Sequence, residues 1–166
     1  MKKLYIDFDG VIMNTNNAIT NLLDEHQVDR TNYDETVNFL RKINWDKLLK
    51  ECDEISNAFS HLKTLNDSND FNVAILTHVC SEEEANEKKK LLTNKVGNLN
   101  VIPVPRNINK CHYVDPKDSI LIDDYSKNLE LWQQNGGISI KFTNKEYDKF
   151  KSIYNLGDII NLLWKS

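Results

Sequence analysis

Five short apolar runs punctuate the chain, at residues 4–6, 71–76, 99–104, 119–122 and 138–142. Each is rich in Ile, Val, Leu or Phe and is bounded by polar or turn residues. Near-continuous apolarity over so few residues suits strands buried on both faces of a parallel sheet. Between the runs the pattern becomes helical. After Cys80, Ser81 followed by Glu84 forms a capping box. Glu82, Glu83 and Glu84 then precede Lys88, Lys89 and Lys90, the charge order that complements a helix dipole. These charges are expected on a solvated surface helix with no chemical role. A second helix is expected over 126–134, closed by Gly136-Gly137. A last one is expected from Asp158, as N-cap, to Trp164. The stretch 15–66 breaks the alternation. It holds helical patches at 18–26 and 45–62 and no convincing strand.

This order predicts an α/β protein with a Rossmann-like, doubly wound parallel sheet of about five strands. Residues 1–14 and 67–166 form its core domain, and 15–66 form a small helical insertion after strand one. A length of 166 residues fits one domain with such an insertion. A chain of that size buries roughly 70% of its unfolded surface, enough for a core without staples.

Composition narrows the function by exclusion. A net charge of −4 offers no basic field for a nucleic-acid polymer, so a phosphorylated partner is expected to be a small molecule. Cys52, Cys80 and Cys111 are widely spaced and form no CxxC or zinc pattern, which reads as reduced structural thiols. The apolar run before Asp7 is only three residues long, and no apolar run approaches the ~18 residues of a membrane span. The expectation is a cytoplasmic protein with no membrane partner.

Chemistry enters at the strand ends, where ligands bind in open parallel sheets. Strand one delivers Asp7 and Asp9 with Gly10 following, strand two delivers Thr77 and His78, and strand four delivers Asp123 and Asp124. Carboxylates converging on one rim repel one another unless a cation neutralises them. Oxygen ligands without Cys or His point to Mg²⁺, which usually bridges protein carboxylates to substrate phosphate.

These residues resemble a known family. Asp7-Phe8-Asp9-Gly10-Val11 after an apolar strand is similar to the first motif of the haloacid-dehalogenase superfamily of phosphatases. Ile75-Leu76-Thr77 resembles its second motif, and Leu121-Ile122-Asp123-Asp124 its fourth. The resemblance implies that Asp7 is a nucleophile forming an aspartyl-phosphate and that Asp9 is the acid/base. It implies phosphate contacts from Thr77 and the His78 backbone, and Mg²⁺ on Asp7, the Asp9 carbonyl and Asp124. Asp123 then supports the site from behind. The third-motif lysine is Lys110 or Lys117. Lys117, in the turn Asp115-Pro116-Lys117-Asp118, sits toward the wrong end of the strand, so Lys110 is better placed. The superfamily's helical cap falls at 15–66 and carries Tyr33, Phe39, Trp45 and Phe59, which either stack on substrate or form a mini-core.

A narrower resemblance, through Asn128, Trp132, Gly136-Gly137 and Ile140-Lys141-Phe142, is to the 5'(3')-deoxyribonucleotidase-like subgroup. It implies a deoxynucleoside monophosphate substrate. The run Val11-Ile12-Met13-Asn14-Thr15 is closer to the superfamily's general pattern. The alternatives are another small phosphorylated metabolite, phosphoryl transfer to an alcohol, or a nucleotide- or phosphate-binding module without turnover.

Overall fold

The computed structural model describes residues 1–164. Its sheet has six parallel strands: β1 (Lys2–Ile6), β2 (Phe71–Val79), β3 (Asn100–Pro105), β4 (Ile120–Asp123), β5 (Ile138–Phe142) and β6 (Lys151–Ile153), in the order β3-β2-β1-β4-β5-β6. The sixth strand is absent from the sequence reading. At three residues, Lys-Ser-Ile, it is too short to show a period, and it forms only by pairing with β5.

The β-period sorts side chains to two faces. Leu4, Ile6, Val73 and Ile75 enter one apolar cluster, while Tyr5, Ala74, Leu76 and Leu121 enter the other. Helix α5 (Glu82–Val96) covers the first face, and α7 (Ser126–Gln134) packs on β4 and β5. Trp132 of α7 is fully buried beneath Gly137, where a Cβ would lie 2.2 Å from the indole, so Gly137 is a packing requirement, while Gly136, at φ +82°, supplies the turn after the helix.

The insertion forms four helices: α1 (Thr15–Glu25), α2 (Tyr33–Leu40), α3 (Trp45–Glu51) and α4 (Ala58–Asp67). The helical patch at 45–62 is therefore two helices. They part where Ser56 and Asn57 take left-handed backbone, φ 47° and 54°. Helix α4 packs against β2 and α5, and Leu62 and Leu65 belong to the main core. At the C-terminus, Asp158 ends a short 3₁₀ turn and directly precedes the last helix. Asn155 accepts from Gly157 N–H and caps this turn (Leu156–Asp158), which leads into α8 (Ile159–Trp164). Among the described residues no helix is long and apolar enough to cross a membrane.

From β1 the chain fills one side of the sheet through β2 and β3, then crosses to the other side at β4. The crevice at the carboxyl ends of β1 and β4 is the topological switch point, where such sheets bind ligands.

Candidate active site

Asp7 leaves β1 with its N–H donating to the Ile122 carbonyl of β4 at 2.9 Å. The chain then turns tightly, with Ile12 N–H donating to Phe8 O and Gly10 N–H to Met13 O. Phe8, Val11 and Ile12 are buried and anchor the turn. Gly10 adopts φ +76°, and a Cβ there would sit 2.2 Å from Asp124 Oδ2. Only glycine permits both this backbone and this approach.

Asp7, Asp123 and Asp124 each offer an oxygen within 4.8 Å of the others. Their environments differ. Lys110, fully buried on the short helix α6 (Lys110–Tyr113), donates from Nζ to Asp7 Oδ1 and Asp123 Oδ2, 2.7 Å each. Asp123 also accepts from Asn128 Nδ2 and from Tyr125 N–H, so both its oxygens are engaged and none is exposed. Asp7 and Asp124 face the open space, where Asn16 Nδ2 donates to Asp124 Oδ2 at 3.0 Å. Lys117 is exposed in its turn.

Burial pushes the Asp7 carboxyl well above the usual carboxylate range, against the pull of Lys110 and with Asp123, Asp9 and Asp124 adding to the rise. Burial, then Asp123, lifts Asp124 to about 6. Lys110 is held firmly protonated because Asp123 and Asp7 outweigh its desolvation. One ammonium shared between two acids thus leaves the rim short of positive charge. Asp7 and Asp124, oxygen ligands with no His or Cys in their cluster, fit a hard divalent cation such as Mg²⁺.

Asp9 is part of a second buried group that the sequence reading missed. Lys88 is fully buried, and its Nζ reaches Asp9 Oδ2 at 2.6 Å and Glu84 Oε1 at 2.8 Å. The expectation of a solvated helix face is therefore wrong for Glu84 and Lys88. Ser81 does accept from Glu84 N–H at 3.1 Å, but Glu84 Oε2 turns back to Cys80 N–H, and Glu84 Oε1 goes inward to Lys88. Thr15, at the start of α1, donates to Asp9 Oδ1 at 2.6 Å. Burial would raise Asp9, but Lys88 and these hydrogen bonds win and hold it below the usual range.

Thr77 is fully buried and donates toward Asp9 Oδ2 at 3.3 Å, so its hydroxyl faces Asp9. The His78 ring lines the open space and meets the Ile108 carbonyl at 2.9 Å, tying the end of β2 to the loop before α6. That space is a cavity of about 770 Å³, within the range of small-molecule sites. Its floor includes Asp7, Asp9 and Asp124, and Ile19 and Leu23 of α1 with Tyr33 and Thr36 of α2 add to its wall. Of the four insertion aromatics, Tyr33 lines the cavity and is half exposed. Trp45 is fully buried in the core, and Phe39 and Phe59 pack against it.

No family model and no curated protein matches the sequence. Solved structures do match its fold. A HAD-superfamily hydrolase, subfamily IA, from Geobacter sulfurreducens superposes with TM-score 0.66 at 14% identity, over 98% of this chain and 100% of that one. A putative HAD-hydrolase from Bacillus subtilis bound to magnesium gives 0.67 at 14%, over 98% of each chain. D,D-heptose 1,7-bisphosphate phosphatase from Burkholderia thailandensis gives 0.59 at 12%, over 99% of each. At these identities the likeness concerns the backbone, and on that ground the chain has the α/β fold of the HAD-superfamily hydrolases.

Proposed function

We propose that this protein is a Mg²⁺-dependent phosphomonoester hydrolase of the haloacid-dehalogenase superfamily, acting through an aspartyl-phosphate on Asp7. The observation that carries the reading is Asp7 and Asp124 opening onto one cavity at the switch point, with Lys110 between Asp7 and Asp123. The magnesium neighbour and the phosphatase neighbour support the same reading.

Asp7, Asp124 and the Asp9 backbone carbonyl would hold Mg²⁺, which when bound offsets charge on the rim and on the phosphoryl group. Asp7 Oδ attacks phosphorus as the ester oxygen leaves, giving an acyl phosphate that water then hydrolyses. Asp9 hands the leaving oxygen the proton that the phosphate monoanion carries in, then takes one from the attacking water. An acid at Asp9 favours phosphate-ester chemistry over the dehalogenase branch of the superfamily. His78 N–H serves the phosphate, and Thr77, buried with its hydroxyl on Asp9 Oδ2, acts through Asp9. Within residues 15–66, helices α1 and α2, which line the cavity, act as the cap over a small phosphorylated metabolite, while α4 belongs to the core. Tyr33, which lines the cavity, would stack on a base, and this supports deoxynucleoside monophosphates as the first substrates to try.

Phosphate release from a panel of monoesters with Mg²⁺ tests the reading. Release above that of Asp7→Asn is expected, and none from any ester sinks it.

The raised Asp124 gives a metal prediction. Without metal, the folded site keeps a proton that the unfolded chain releases near ~3.9. This part of the stability is therefore present at low pH and is lost as pH rises toward about 6. Mg²⁺ must displace that proton, so its affinity should fall by up to about tenfold per pH unit below that value. Thermal shifts on adding Mg²⁺ should be larger at about pH 7.5 than at about pH 5. Equal shifts would remove Asp124 from the metal site.

A further inference from the structure

The buried lysine beneath Asp9 has no role in the scheme above. Lys88 Nζ has four acceptors: Asp9 Oδ2 at 2.6 Å, Glu84 Oε1 at 2.8 Å, Thr77 Oγ1 at 3.2 Å and the His78 carbonyl at 3.2 Å. Its ammonium lies over the rings of Phe8 and Trp45, 5.1 and 5.5 Å from the centroids. An ammonium has three donors. All are committed to protein, and the side chain has no exposed surface, so Lys88 does not touch a ligand in the cavity.

Such a group is a poor stability device. Replacing a buried ion pair by well-packed apolar residues is often neutral or stabilising. Lys88 shares its buried face of α5 with Leu92 and Val96, where an apolar side chain would be the ordinary choice. What the charge does achieve is geometric. It joins the Asp9 side chain, carried by the turn after β1, to Thr77 and His78 at the end of β2. Glu84, one helical turn away and itself held by Cys80 N–H, anchors it.

We propose that Lys88, braced by Glu84, is a positioning residue that fixes the Asp9 carboxylate and the Thr77 hydroxyl in one frame for proton exchange with the leaving oxygen. The proposal rests on the phosphohydrolase reading. A loosened Asp9 matters most where the leaving oxygen needs its proton as the P–O bond breaks. That is the case for alkyl phosphates. An aryl phosphate with an acidic phenol leaves without it.

The test compares an alkyl and a nitrophenyl phosphate in wild type, Lys88→Met, and the double variant Glu84→Gln with Lys88→Met. The double variant leaves neither charge of the helical pair buried alone and carries the test if the single variant does not fold. Folding is checked by thermal denaturation. For the alkyl ester kcat/KM, which covers only the steps up to departure of the leaving oxygen and not the shared hydrolysis of the acyl phosphate, should fall about 30-fold or more, while that of the aryl ester falls less than about 5-fold. Equal losses on both esters, or no loss, overturn the proposal and leave Lys88 a structural residue. The two esters are drawn from those the wild type cleaves in the monoester panel; a wild type that cleaves none of that panel sinks the phosphohydrolase reading and the proposal with it. The same result in the variants alone does not touch that reading.

Discussion

Asp7→Asn should lower turnover by at least about 10⁴-fold while leaving the fold intact, the scale on which loss of a covalent nucleophile sits. An amide oxygen attacks phosphorus poorly and binds a divalent cation weakly. It still accepts a hydrogen bond, so Lys110 Nζ keeps a partner where Asp7 Oδ1 now stands at 2.7 Å. The backbone link from Asp7 N–H to Ile122 is unaffected. Removing one negative charge from a rim that also holds Asp9, Asp123 and Asp124 relieves repulsion. Without metal the variant should therefore melt at or above the wild-type temperature. The pairing of lost activity with retained stability is the signature. It is read from phosphate release with saturating Mg²⁺ beside a melting curve. Residual activity above about 1% would remove Asp7 from the chemistry, since a positioned group that is not the nucleophile costs less.

The strand-end acids were readable because each strand is both apolar and short. The residue at which apolarity stops is then the residue at the carboxyl rim, and Asp7, Thr77, Asp123 and Asp124 all fall at such stops. The doubly wound sheet followed from the same runs. β6 did not, because three residues have no period and the strand is defined by its neighbour. Glu84 and Lys88 were misread for a different reason. Their charges matched the dipole and capping rules of a surface helix, and those rules describe the helix without saying which face is covered. The spacing held the correction: Glu84, Lys88, Leu92 and Val96 recur every four residues and lie on one stripe of α5. A charged pair continuing an apolar stripe is a burial signal. Thr15 carried no such sign. Its hydroxyl reaches Asp9 only because the turn 8–13 folds the chain back on itself.

Lys110→Met should destabilise the protein by about 3–5 kcal/mol, because it strands two buried carboxylates that share one ammonium. For a chain of this size that is a fall in Tm of roughly 6–20 °C. Methionine fills the space left by the aliphatic stem, so the loss reports charge more than volume. The pH dependence separates the two. With the ammonium gone, Asp7, already raised by burial, loses the Lys110 pull that lowers it. It carries a proton at low pH and costs little there, and the penalty grows as pH rises through its folded value. The difference in Tm between wild type and variant should therefore be larger at about pH 8 than at about pH 5. Adding Asp123→Asn to the variant removes one of the stranded charges. Its amide can still accept from Tyr125 N–H at the place where Asp123 now does, 2.8 Å away. The double variant should recover part of the lost stability, a coupling expected of groups in direct contact. A Tm loss independent of pH, with no recovery in the double variant, would mean that Lys110 fills space beside Asp7 and does not neutralise it.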